Sequence, residues 1–194
     1  MASKYGYALG AIGVKIHEDH FKLIKSKLAY GLDPESKRKR DELWKQFDIN
    51  GNKILSLAEI DKALRDVLQL GDNLFRAKKA IFRAFDRAKK AVPTKRKHGN
   101  DYVDRCEFRL LLKYLWQYFL LYNAFMALEE DGDLRLSKEE FIKNNDIIED
   151  IVGPITDLEG DWKKMKPGSN GHVLFENFCL WADSRDQGGE IDAE

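Results

Sequence analysis

The sequence predicts an all-α protein made of four helix-loop-helix units in two pairs, with an extra amino-terminal helix. The main observation is an internal repeat. The stretches Asp48 to Glu59 (DINGNKILSLAE) and Glu129 to Glu140 (EEDGDLRLSKEE) share Asn or Asp at their third and fifth places, Gly at the fourth, Leu-Ser at the eighth and ninth, and Glu at the twelfth. Apolar residues recur at helical spacing on both sides of each stretch, and an apolar content of 43% is ordinary for a chain with a core.

Residues 1–35 form an extension with an accessory helix, since Phe21, Ile24 and Leu28 lie on one face, Gly31 stops the run, and Asp33-Pro34 opens the next helix. The first pair spans 36–120. It begins with a helix holding Leu43, Trp44 and Phe47, passes through the Asp48 loop, and continues in a helix holding Ile60, Ala63, Leu64, Val67 and Leu68. Its second unit enters through Phe75, Ile81, Phe82 and Phe85, crosses AKKAVPTKRKHGND, and leaves through CEFRLLLKYLWQYF. The second pair spans 121–186, with YNAFMAL, EEDGDLRLSKEE and FIKNNDII followed by ITDLEGDWKKM, KPGSNGHVLFEN and FCLWADSRD. The polar segment 187–194, with two glycines and three acids, reads as a flexible acidic tail.

A polar loop of this length between two helices is the EF-hand arrangement, which gives Ca²⁺ six to eight oxygens from positions 1, 3, 5, 7, 9 and 12, the last a bidentate carboxylate. Loop one offers Asp48, Asn50, Asn52, the carbonyl of Ile54, Ser56 and Glu59. Every place holds an oxygen donor, but only two carry charge, which predicts weak affinity. Lys53 stands where glycine normally makes the sharp turn, and a left-handed backbone there costs on the order of 1 kcal/mol. Gly51, two places earlier, offers another position for the bend.

Loop three offers Glu129, Asp131, Asp133, the carbonyl of Arg135, Ser137 and Glu140, and is the better calcium site by charge. Glu129 is one methylene longer than the usual first ligand, and Leu134 replaces the turn glycine. Mg²⁺ as the resting occupant is left open. For both loops the alternative that these residues merely solvate a connector also stays open.

The other two loops read as metal-free. Loop four keeps Gly171 for the turn and Val173 for the short strand between paired loops, but Lys166 stands first and Asn177 last. Loop two keeps Val103 and Glu107, while an insertion of about ten residues with Lys95, Arg96 and Lys97 breaks the ligand spacing. Each pair therefore joins one candidate site to one loop whose remaining task is to pair backbone strands.

Composition narrows the function classes. Cys106 and Cys179 form no disulfide framework, so reduced thiols in the cytoplasm are expected. The start MASKYGYALGAIGVKI resembles no signal peptide and has Ala2 in place of an acylated glycine, so no acyl anchor is expected. The apolar run from Phe108 to Leu128 contains Arg109, Lys113, Gln117 and Asn123, which argues for core helices over a membrane span. Residues 1–97 hold 23 basic and 12 acidic side chains against 10 and 21 in the remainder, a dipole of +11 and −11. The basic half suits an acidic protein surface or peripheral contact with anionic lipid. No nucleic-acid partner is expected, because KRKR (Lys37 to Arg40) and KRK (Lys95 to Lys97) come without an aromatic platform or a reader motif. His17 and His20 lack a second ligand cluster for zinc. No nucleophile elbow or phosphate-cradling glycine loop occurs, so an enzyme is not expected.

The segments KRDELWKQFD, CEFRLLLKYLWQYF, ALEEDGDLRLSKEEF and LFENFCLWA, with the lengthened second loop, resemble the calflagins, the flagellar calcium-binding proteins of trypanosomatids. The resemblance covers roughly Lys37 to Ala182. It implies a flagellar or ciliary location and calcium-responsive loops in the carboxyl-terminal pair. Carried over by position, the family's ligands fall on Glu129, Asp131, Asp133, Ser137 and Glu140; Lys166 and Asn177 break the pattern in the fourth loop, and Ala2 breaks the acylation signal. The expected function is a weak calcium sensor or calcium-modulated adaptor for a flagellar or cytoskeletal protein partner. The alternative is a calcium-independent structural EF-hand protein of the axoneme or cytoskeleton.

Overall fold

The computed structural model describes residues 18–68, 77–91 and 101–185. The expectations for Ala2, His17, the His20 side chain, Lys95 to Lys97 and the tail 187–194 lie outside the described residues. The described chain divides into two compact units, one containing Asp19–Phe119 and the other containing residues 120–185.

The architecture is helical, with short strands only in the loops. In the first unit, α1 (Glu18–Lys27) leads to α2 (Pro34–Phe47), β1 (Ile54–Leu55), α3 (Leu57–Leu68), α4 (Lys78–Ala88) and β2 (Val103–Asp104), and ends in the first part of α5 (Phe108–Leu128). In the second, the rest of α5 is followed by β3 (Arg135–Leu136), α6 (Lys138–Asn144), a 3₁₀ turn (Asn145–Ile147), α7 (Glu149–Val152), α8 (Leu158–Lys164), β4 (Val173–Leu174) and α9 (Phe175–Arg185). No described helix is long and apolar enough to cross a membrane.

Helix α2 starts where its sequence dictates. Pro34 occupies the first turn, where a missing N–H costs nothing, and Asp33 Oδ1 accepts from Ser36 N at 2.9 Å. Ahead of it, the buried Arg40 guanidinium donates to the carbonyls of Ala29 and Gly31, both at 3.0 Å, tying the segment after α1 to α2.

Each unit packs an aromatic core around its strand pair. In the first, Phe108 meets Trp44 and Phe47 edge-on at centroid distances of 5.0 and 5.3 Å. In the second, Phe125 meets Phe175 and Phe178 at 5.6 and 5.5 Å, and Phe141 meets Trp181 at 5.9 Å. Burying one such Phe contributes about 2–3 kcal/mol. Tyr118, Phe119, Tyr122 and Phe125 of α5 are buried, so this aromatic stretch is core.

The strands join the loops two by two. Leu55 faces Val103 and Ile54 faces Asp104; Leu136 faces Val173 and Arg135 faces Leu174, both pairs antiparallel. Leu55, Val103, Leu136 and Val173 are all fully buried, so the alternation of the strand places one residue of each loop in the core and turns the next away from it.

Candidate metal centre

Loops one and three share a hydrogen-bond plan in which each polar side chain folds the backbone around itself. In loop one, Asp48 Oδ2 accepts from Lys53 N at 3.1 Å, Asn50 Oδ1 from Asn52 N at 2.9 Å, and Asn52 Oδ1 from Ile54 N at 3.0 Å. In loop three, Glu129 Oε1 accepts from Leu134 N at 3.2 Å, Asp131 Oδ1 from Asp133 N at 3.1 Å, and Asp133 Oδ1 from Arg135 N at 2.7 Å. These local bonds explain why Asn and Asp alternate there.

The bend stays at the sixth place of each loop. Lys53 and Leu134 are left-handed at φ 67° and 62°, alongside Gly51 at 70° and Gly132 at 80°. Gly51 thus bends as its position allows, but without relieving Lys53 of its own left-handed turn. The Asp48 carboxylate holds the Lys53 N–H, and this bond fixes the turn where a side chain makes it costly.

In loop three, Glu129, Asp131 and Asp133 each bring one carboxylate oxygen to within 4.8 Å of the others. Asp131 and Asp133 are exposed, whereas Glu129 is 2% exposed. Burial pushes the Glu129 carboxyl above its ordinary range, and a side-chain hydrogen bond with Asp131 pushes the same way. Three acids in so small a space repel one another, and a hard divalent ion fits that donor set. Loop one carries a different sign of fit: Asp48 Oδ1 is shut off from solvent and has no hydrogen-bond partner among the described residues.

The twelfth-place glutamates are engaged at the starts of the helices that follow their loops. Glu140 Oε2 accepts from Ser137 N at 2.8 Å and Ser137 Oγ at 2.7 Å, and Oε1 accepts from Glu130 N at 2.8 Å. Ser137 Oγ in turn accepts from Glu140 N at 3.2 Å, completing a capping box on α6. Glu59 repeats this with Ser56, whose N and Oγ lie 2.9 and 2.8 Å from Oε2, while its Oε1 accepts from Asn50 Nδ2 at 2.6 Å. Arg135 and Ile54 sit in the strand pairs, as the seventh place requires. The structure thus gathers Glu129, Asp131 and Asp133 in loop three, brings Glu59 onto Asn50 in loop one, and engages Glu140, Ser137, Glu59 and Ser56 in helix caps.

The FCaBP EF-hand domain family matches residues 24–115. The chain is 33% identical over 160 residues to flagellar calcium-binding protein TB-24 of Trypanosoma brucei brucei, covering 82% of this chain and 73% of that protein. Flagellar calcium-binding protein TB-17 of the same organism matches at the same identity, over 69% of its length. The flagellar calcium-binding protein of Trypanosoma cruzi is 30% identical over 152 residues, 77% of this chain and 72% of that one. The chain belongs to the flagellar calcium-binding protein, or calflagin, family.

Several contacts in this chain have no counterpart in the sequence reading. Glu130 is clamped by Lys143 Nζ at 2.7 and 2.9 Å and Asn144 Nδ2 at 3.0 Å, which lowers its carboxyl below the ordinary value. Asp161, inside the core, meets Lys164, Trp181 Nε1 and Arg185 at 3.0, 3.3 and 2.8 Å. No pattern in the sequence marks either cluster, because the partners lie 13 to 24 residues apart apart from Lys164. The capping boxes were legible, since Ser-x-x-Glu occurs at both Ser56 and Ser137.

Proposed function

We propose that this chain is a calcium-binding EF-hand protein of the flagellum or cilium, acting as a weak sensor or calcium-modulated adaptor for a flagellar or cytoskeletal protein. The observation that carries the reading is the convergence of Glu129, Asp131 and Asp133 within 4.8 Å in a loop of EF-hand plan. Its relatives in Trypanosoma are flagellar calcium-binding proteins, which supports both the ion and the place.

In this reading the chain holds four EF-hand-derived units, paired as 36–120 and 121–186, with 1–35 as an accessory extension and 187–194 as a tail. Loop three takes the ion through Glu129, Asp131, Asp133, the Arg135 carbonyl, Ser137 and Glu140. Loop one, with Asp48, Asn50, Asn52, the Ile54 carbonyl, Ser56 and Glu59, takes it more weakly because only two of its donors are charged. Bound Ca²⁺ supplies a charge that the three converging carboxylates need. Glu140 and Ser137 act at both the cap of α6 and the ion, which links ion occupancy to the start of that helix.

A calorimetric titration of the metal-free chain with Ca²⁺, repeated in excess Mg²⁺, tests this reading. At least one saturable calcium event is expected, and a tagged chain should localise to the flagellum. A second reading, a calcium-independent structural EF-hand protein, is favoured by the self-satisfied Glu140 carboxylate. Chelator-insensitive association with axonemes supports it.

A further inference from the structure

We propose that Asn177 is a positioning residue whose side-chain amide closes the fourth loop in place of a metal ion, so holding β4 in register for the ion site of the third loop. The second half rests on the calcium reading above; the first does not.

In an ion-binding loop, the twelfth-place carboxylate is joined to the first place through the shared ion. Here the junction is direct. Asn177 Nδ2 donates to the carbonyl of Lys166 at 3.0 Å, joining the twelfth place to the first. The amide orientation follows from chemistry, because the opposite rotamer would set two oxygens against each other. Lys166 itself is left-handed at φ 53°, a cost that the closure offsets.

The rest of the loop is also satisfied by its own atoms. Gly168 N donates to His172 O and Gly171 N to Gly168 O, both at 2.9 Å. His172 N donates to Asn170 Oδ1 at 3.2 Å, and His172 Nδ1 lies 2.8 Å from Asn170 O. A loop with this wiring needs no ion to keep its shape.

The shape reaches loop three through backbone pairing. Val173 faces Leu136, both fully buried, and Leu174 faces Arg135, whose carbonyl is the seventh-place donor. With β4 already held, the strand of loop three is ordered before an ion arrives, and less ordering remains to be done on binding. It also leaves loop three without a titrating partner, so calcium binds the pair as a single site with no cooperativity.

The test uses the full chain with Asn177→Ala and Asn177→Asp; the second keeps the size but turns a carboxylate toward the Lys166 carbonyl. Amide hydrogen exchange is measured without metal, and calcium affinity by calorimetry. In both variants, the amides of Leu136 and Val173, which face each other across the strand pair, should exchange about tenfold faster, while those of Leu55 and Val103 stay as in the parent chain. Calcium affinity of Asn177→Ala should fall about tenfold with unchanged stoichiometry, a loss of the size seen when outer-shell partners are removed. Parent-like exchange at those two amides in both variants overturns the closure. Faster exchange with parent-like calcium affinity overturns its transmission to loop three. If the parent chain takes up no calcium, the calcium reading fails and the transmission with it, while the exchange result still decides the closure.

Discussion

Glu140 and Glu130 tie the far ends of the third loop together, since Glu140 Oε1 accepts the Glu130 backbone N–H at 2.8 Å. The other carboxylate oxygen is held by Ser137. In the proposed calcium site, an incoming ion would have to exchange these bonds for its own, which predicts weak affinity even where the charges are favourable.

Replacing Glu140 by Gln keeps the volume and one acceptor oxygen but removes the charge. The tightest calorimetric calcium signal should disappear. The melting profile of the metal-free chain should shift by less than about 1 kcal/mol, since a capping acceptor remains. A signal that survives places the tightest site outside loop three.

Leu134 is left-handed and half exposed, so it bears backbone strain for little burial. Changing Leu134 to Gly relieves on the order of 1–2 kcal/mol of strain and adds about 0.5–1 kcal/mol of unfolded-state entropy. Urea unfolding of the metal-free chain should show a net gain of up to about 1 kcal/mol. A loss would mean that the side chain packs more than its exposure suggests.

Arg185 bridges Asp161 at 2.8 Å and the carbonyls of Val152 and Pro154 at 3.1 and 2.5 Å. Burial alone would raise the Asp161 carboxyl, but Lys164, the Trp181 indole and Arg185 outweigh it and hold it below the ordinary value. A carboxyl lowered by folding stabilises the fold above its unfolded value, and that contribution is lost as pH falls through the folded one. Arg185→Met should cost about 2–3 kcal/mol at neutral pH, less than a fully buried pair because Lys164 remains. The deficit should hold down to about pH 5 and shrink below about pH 4, as followed by urea unfolding across pH.

The Cys106 thiol is pushed up to about 11, by partial burial first and then by the Asp104 carboxylate 2.8 Å from its sulfur, with the charge of Glu107 adding to both. The thiolate is the reactive form, so iodoacetamide at neutral pH should modify Cys106 about a hundredfold more slowly than an ordinary exposed cysteine. Asp104→Asn should restore part of that rate, because burial, the larger cause, remains. Mass spectrometry of the Cys106 peptide reads both outcomes.

Much of the helical plan was legible in the sequence because it depends on periodicity and caps. Asp33-Pro34 starts α2, the spacing of Ile60, Ala63, Leu64 and Leu68 gives the buried face of α3, and Val103 and Val173 mark the strands. The oxygen-bearing places of loops one and three were equally legible, since they rest on a fixed count from Asp48 and Glu129. The capping contacts of Glu59 and Glu140 were written in Ser-x-x-Glu, a pattern that the count of loop positions overlies.

By itself, then, the order of residues determined which segments are helices, which loops carry oxygen donors, and that Lys166 and Asn177 depart from a calcium loop. Only the tertiary structure decided that Asn177 turns its departure into a closure on Lys166, that Asp161 gathers Trp181 and Arg185 in the core, and that Glu129 is buried while Asp131 and Asp133 face water. The reason is physical: periodicity and capping act within a few residues and leave their mark in the chain, whereas desolvation and charge pairing depend on what folding brings alongside from far away in sequence.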